Sequence, residues 1–322
     1  MLVLVISSLN PLSFKVIDLS WETKIVNNFS VSQTVRRFTW PDEKIERIQA
    51  EMQDAFLEDG FLICEGFASD QECADMIAQA DELIASFDET AHQVVFSASG
   101  QSHAASDYFM DSACQISCFL EAGAVDEEGR LIKPKTQAVN KIGHALHDLD
   151  PVFSHFSRQD KFADLARLLG LNAPLLLQSM VICKQPFIGA EVNSHQDSTF
   201  LYTDPESCIG LWLALEPATS ANGCMWAARG GHRAPLKSRF HKQGDEMVMT
   251  ALSDAALADC TTPLEVDTGT VVVLHGRLPH LSHENKSASS RYAYALHLID
   301  GDSTYPEDNW LQRPAELPLR GF

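Results

Sequence analysis

Basic residues are scarce in this chain. Its 24 lysines and arginines face 44 aspartates and glutamates, which leaves a formal net charge of -20 at pH 7. Proteins that hold nucleic acid or an anionic membrane need positive surface, so neither partner is expected, although one local basic pocket is compatible with the total. No stretch reaches the roughly 18 apolar residues of a membrane span. The apolar opening Met1-Leu2-Val3-Leu4-Val5-Ile6 is short and lacks a basic flank, which disfavours a signal peptide. The closing Leu319-Arg320-Gly321-Phe322 is not a peroxisomal Ser-Lys-Leu address. The eight cysteines include no C-x-x-C pair, and only Cys114 and Cys118 lie close together. They read as free thiols in a reducing compartment, not as a disulfide framework or zinc site. A cytoplasmic location is therefore expected. Internal repeats and low-complexity tracts are also missing.

What is present fits an ordinary folded protein: 45% hydrophobic and 21% charged residues. A length of 322 residues is enough for a sizeable core. Residues 1–40 show neither amphipathic period nor turn chemistry, and a poorly ordered extension is expected there. Residues 41–322 are expected to form a single domain.

Helical spacing comes first. Pro41 opens a helix with Ile45, Ile48, Met52 and Ala55-Phe56 on one face, and Gly60 stops it. After the short strand Phe61-Leu62-Ile63-Cys64, Ser69-x-x-Glu72 is a capping box for a second helix carrying Met76, Ile77, Ala80, Leu83, Ile84 and Phe87. A third helix carries Phe162, Leu165, Leu168 and Leu169 and ends at Gly170. Beyond it the texture changes to short runs, Leu175–Cys183, Ile209–Leu215, Met247–Leu252, Thr270–Leu274 and Tyr292–Ile299, separated by turn residues. Helices followed by many strands fit a mainly β fold with some α, a double-stranded β-helix (jelly roll, cupin-like) buttressed by N-terminal helices.

Twelve histidines make one H-x-D weak evidence by itself. His195-Gln196-Asp197 nevertheless sits at a strand end, where residues two apart project to the same side. His280 sits just past the buried-looking run Val271-Val272-Val273-Leu274, and Arg291 opens the next strand. Two histidines and one carboxylate form a face that leaves coordination positions of Fe(II) open, and the arginine adds a partner for a cosubstrate carboxylate.

The segment Val272-Val273-Leu274-His275-Gly276-Arg277-Leu278-Pro279-His280-Leu281-Ser282-His283-Glu284-Asn285-Lys286-Ser287, ending at Arg291, resembles the phytanoyl-CoA dioxygenase family. So do Asn140-Lys141-Ile142-Gly143-His144-Ala145-Leu146-His147, Gln178-Ser179-Met180, Lys184-Gln185-Pro186 and Glu307-Asp308-Asn309-Trp310-Leu311-Gln312. The likeness runs from about Glu46 to the C-terminus. It implies His195, Asp197 and His280 as iron ligands. It also implies that Arg291, helped by Ser282, holds the distal carboxylate of 2-oxoglutarate, with Lys141, Met180, Gln196 and Trp212 lining the cosubstrate. The implied reaction couples O2 and the decarboxylation of 2-oxoglutarate to succinate with hydroxylation of a substrate, ascorbate being supportive. Beyond the metal ligands no catalytic side chain is nominated. The substrate is a small molecule or acyl-type compound, and phytanoyl-CoA is disfavoured because no basic cluster awaits the CoA phosphates. A monomer is expected. A jelly-roll metal or 2-oxoglutarate sensor or scaffold without turnover is the alternative. A zinc hydrolase is a third reading, but it leaves Lys141 and Arg291 without a role.

Other residues read less functionally. His275 is expected to support its strand, His283 to face solvent, and His144 and His147 to be pocket wall or core. Asn285-Lys286-Ser287 and Asn28-Phe29-Ser30 are formal glycosylation sequons in poor contexts. Arg229 and Gly231 depart from the family's pattern of Pro and Ser, and an effect on the loop over the pocket is expected.

Overall fold

Helical spacing before residue 170 and short apolar runs after it become separate layers in the computed structural model, which describes residues 34–40, 46–88, 107–128 and 130–322. Of the expected extension, residues 1–33 lie outside the described residues. Near its end β1 (Phe38–Thr39) pairs in parallel with β2 (Phe61–Glu65). Between them α1 (Glu46–Asp59) buries Met52, Ala55 and Phe56, and Gly60 ends it in the left-handed region at φ 79°. The expected helix opening, Pro41 to Ile45, lies outside the described residues.

The capping box forms as its residue types require. The Ser69 hydroxyl accepts from the Glu72 N–H at 3.2 Å, and the Glu72 carboxylate accepts from the Ser69 N–H at 2.8 Å. They open α2 (Asp70–Ser86), which buries Cys73, Met76, Ala80 and Ile84. Then come α3 (Asp107–Asp111), β3 (Ile116–Leu120), β4 (Val139–His144), α4 (Leu146–Leu149), α5 (Pro151–Ser157) and α6 (Asp160–Leu168). The strand-rich remainder holds β5 (Pro174–Lys184), β6 (Val192–His195), β7 (Ile209–Ala214), β8 (Met225–Ala227), β9 (Ser238–Gln243), β10 (Glu246–Ala251), β11 (Thr262–Leu264), β12 (Val271–His275), β13 (His280–Ser282) and β14 (Arg291–Asp300).

An eight-stranded sheet runs β1-β2-β12-β7-β14-β5-β4-β3, and a four-stranded sheet runs β11-β8-β13-β6, with β9 and β10 as a separate hairpin. The fold is the expected jelly roll with helices on its outer face, and its sheets do not close into a barrel. Alternation along β14 explains how one strand serves two layers. Tyr292, Tyr294, Leu296 and Leu298 join the core shared with the helices, whereas Arg291, Ala295 and His297 face the cavity between the sheets. Phe153 of α5 meets Tyr294 with ring centroids 5.0 Å apart, and the Tyr294 hydroxyl shares a 2.7 Å hydrogen bond with Ser157. Each such buried large side chain contributes roughly 1.5–3 kcal/mol relative to exposure. This helix layer stiffens the strands that present the site.

Candidate metal and cosubstrate site

The antiparallel register of β6 and β13 sets His195 opposite His280, and residues directly opposite project to the same face. Their rings lie 4.3 Å apart between centroids. Asp197 begins a tight 3-10 turn just after β6. Its Oδ1 is 3.6 Å from His195 Nε2 and 3.7 Å from His280 Nε2. Among the described residues this is the one grouping of three such ligand atoms, all within 4.8 Å of one another.

Both rings are oriented by the same local device. His195 Nδ1 is 2.8 Å from the Asn193 carbonyl, and His280 Nδ1 is 3.0 Å from the Leu278 carbonyl. A carbonyl only accepts, so each Nδ1 carries the proton and each Nε2 offers its lone pair to the common point. Burial, then the neighbouring His195, lowers the His280 pKa to about 4 and keeps it neutral, as a ligand must be. Burial opposes charge on both remaining members of the group. For His195 the Asp197 carboxylate outweighs it and raises the pKa. For Asp197, His280 and His297 outweigh it and hold the carboxyl well below its ordinary range. Two nitrogen lone pairs and one carboxylate oxygen on one side of a pocket fit a divalent metal with open positions.

The triad lies on the wall of a cavity of about 620 Å³. Lys141, Met180, Trp212, Ser282 and Arg291, from five strands, also line it. Arg291 is only 1% exposed. Its Nε donates to the Gly223 carbonyl at 3.2 Å, its guanidinium lies 5.2 Å from the Trp212 ring centre, and its Nη1 has no hydrogen-bond partner among the described residues. Burial lowers the Arg291 pKa to about 10 and that of Lys141 to about 7. The Lys141 ammonium sits 4.9 Å from the centre of the Phe119 ring. A buried guanidinium with one N–H directed to no described acceptor, and a buried amine in the same cavity, suit an anionic group.

Gln196 stands apart from these residues. The alternation that puts His195 and Asp197 on one side puts Gln196 on the other, and it is not among the cavity-lining residues. Its amide instead donates to the Arg277 carbonyl at 2.8 Å and accepts from the Lys237 N–H at 2.9 Å, tying two loops together behind the site. Arg229 and Gly231 also lie off the cavity lining, and Arg229 ties its loop to α1, its Nε meeting Asp59 Oδ1 at 2.8 Å. The residue missed in the sequence is His297, whose Nε2 is 3.4 Å from Asp197 Oδ2. Its parity with Arg291 along β14 is the signal that could have found it.

His275, His283, His144 and His147 lie where the sequence reading puts them. His275 lies beside Phe56 and His232, and His283 is exposed against Trp226. His144 lines the cavity and bonds Ser112 at 2.8 Å, whereas His147 is buried against Ser179. Asn285 is 1% exposed and donates to the Lys184 and Ser289 carbonyls, so its amide is engaged inside the fold and not offered to a glycosyltransferase. Asn28 lies outside the described residues.

The family model described as Phytanoyl-CoA dioxygenase (PhyH) matches residues 56–293, a span that holds His195, Asp197, His280, Lys141, Met180, Trp212, Ser282 and Arg291 and stops short of His297. The chain belongs to the phytanoyl-CoA dioxygenase family. It is 42% identical over 266 residues to Phytanoyl-CoA dioxygenase of Arabidopsis thaliana, covering 82% of this chain and 93% of that protein. It is 40% identical over 275 residues to Phytanoyl-CoA dioxygenase domain-containing protein 1 of Bos taurus, covering 82% and 94%. Its fold resembles EctD from S. alaskensis, solved with 2-oxoglutarate and 5-hydroxyectoine, at a TM-score of 0.56 and 20% identity, covering 87% of this chain and 89% of that one. The epimerase SnoN, solved with Fe3+, alpha ketoglutarate and nogalamycin RO, has a TM-score of 0.56 at 14% identity, covering 85% and 99%. Among the described residues no helix is long and apolar enough to cross a membrane.

Proposed function

We propose that this chain is an Fe(II)- and 2-oxoglutarate-dependent dioxygenase that hydroxylates an uncharged, apolar substrate other than phytanoyl-CoA. One observation carries the reading. Two histidines with Nδ1 tied to backbone carbonyls and one carboxylate converge beside the buried Arg291, whose Nη1 has no partner among the described residues. Iron, when bound, supplies the O2 chemistry that no side chain here can provide. The balance is 2-oxoglutarate, O2 and a substrate C–H bond to succinate, CO2 and a C–OH group, with ascorbate keeping the iron ferrous.

The chain's own residues bind and orient. Arg291, with the Ser282 hydroxyl, holds the distal carboxylate through charge-assisted hydrogen bonds, and Lys141 adds a second positive charge. Met180 and Trp212 wall this end of the cavity and exclude water, which strengthens every charge interaction inside. Phe109, Phe200, Phe240, Met247, Met249 and Trp310 line the same cavity and make much of its wall apolar. Phe200 lies 6.3 Å from the His195 ring and 5.8 Å from Phe240, so apolar wall reaches the metal ligands. Among the described lining residues the lysines and arginines are Lys141 and Arg291 alone. CoA phosphates would need further cations, and an apolar carbon skeleton needs none.

The same reading takes the chain as a cytosolic monomer, supported for the compartment by its eight free cysteines. The test is succinate release from 2-oxoglutarate with Fe(II) and ascorbate. Release, stimulated by neutral apolar compounds, is expected. Absence of succinate with every candidate substrate overturns the reading.

A further inference from the structure

We infer that His297 is a positioning residue that, with Gly210, holds Asp197 Oδ2 away from the metal face so that Oδ1 alone faces His195 and His280. The inference rests on the metal site proposed above and concerns a residue outside the ligand set. Asp197 Oδ1 points to the two ligand nitrogens at 3.6 and 3.7 Å, and Oδ2 points the other way, 3.4 Å from His297 Nε2. Gly210 stands opposite His297 in the β14–β7 register. A Cβ on Gly210 would lie 2.8 Å from Asp197 Oδ2 and 3.5 Å from His297 Nε2, so the missing side chain is the space that this oxygen occupies.

A buried histidine filling space is the simpler account, and its surroundings argue against it. Asp197 Oδ2 is buried with no hydrogen bond of good geometry, and His297 Nδ1 is buried with none either. An apolar side chain on β14 would avoid that cost. His297 justifies its place only if its Nε2–H is directed at Oδ2, 3.4 Å away. With Oδ2 held back, Asp197 would offer a bound metal one oxygen, Oδ1, on the same side as His195 and His280. Partners of metal ligands act in this way, by orientation and not by contact with the ion.

The test is Fe(II) and Co(II) binding to the metal-free full-length chain, by calorimetry and by the visible spectrum of bound Co(II). Removing the outer partner of a ligand typically weakens metal binding roughly 10- to 100-fold. His297→Leu is expected to show that loss with an altered Co(II) spectrum, while the metal-free protein melts as the parent does. His297→Gln, whose amide N–H can occupy the place of Nε2–H, is expected to restore most of the affinity. Gly210→Ala is expected to weaken binding with His297 intact. Parent-like affinity in His297→Leu or Gly210→Ala overturns the inference. So does equal loss in the Leu and Gln variants, which would make the ring a mere filler. Failure of the parent to bind either ion overturns instead the metal reading on which it rests.

Discussion

Arg229 and Asp59 meet Nε to Oδ1 at 2.8 Å, joining the loop after β8 to the last residue of α1. Asp59 also receives Arg36 at 3.1 Å, and its side chain is only 3% exposed. Arg229→Ala would leave a nearly buried carboxylate with one cation. A loss of about 1–3 kcal/mol in unfolding free energy is expected, as for other hydrogen bonds to charged groups. Because the pair lies off the cavity lining, metal and 2-oxoglutarate binding should match the parent. Denaturant melts with calorimetry on the same variant check both halves.

Arg291→Ala removes the buried cation while leaving the triad in place. Truncating one side of a buried charge pair costs about 2–5 kcal/mol, so 2-oxoglutarate affinity should fall by more than tenfold. Fe(II) affinity measured without the cosubstrate should hold. Equal loss of both would mean that Arg291 supports the fold and not the ligand.

Lys141 gives the site a pH dependence whose sign is determinate. Burial lowers its pKa from 10.5 to about 7. Between those values the unfolded chain binds more protons than the folded one, so the ligand-free fold gains stability as pH rises through that window. A bound dianion favours the charged ammonium, so 2-oxoglutarate binding above about pH 7 should take up a proton, and affinity should fall as pH rises. Calorimetry in two buffers of different ionisation heat reads the uptake directly. Lys141→Met should abolish it and stabilise the ligand-free protein at neutral pH. Identical heats in both buffers would refute the assignment.

Metal removal should not unfold the chain, because its main core lies on the helix side of the eight-stranded sheet. Metal added at about a hundred times its Kd should stabilise the fold by roughly 2.7 kcal/mol through mass action. Thermal melts followed by circular dichroism should show that gain in the parent and none in His195→Ala. A parent that unfolds in chelator contradicts the separation of core and site.

Much of this was legible in the chain because the deciding patterns are local. The Ser69–Glu72 capping box forms within one helical turn. The β14 run shows its alternation within ten residues, and His195-x-Asp197 needs only the two-residue repeat of an extended segment. That same repeat turns the Gln196 side chain away from the cavity, to hydrogen-bond partners in two loops. Short strands such as β8, β11 and β13, three residues each, carry too few residues to show a period of their own.

The sequence by itself pointed to the jelly-roll class through its run of short strands, and to the three residues proposed as ligands and Arg291 through their pattern together with the family resemblance. Only the tertiary structure decided which oxygen of Asp197 faces the histidines, that His297 and the bare Cα of Gly210 receive the other, and that Arg229 serves α1 and not the pocket. Those outcomes depend on contacts between strands and loops 100 and 170 residues apart in the chain, as in Asp197 to His297 and Arg229 to Asp59. No periodicity encodes such distances; packing does.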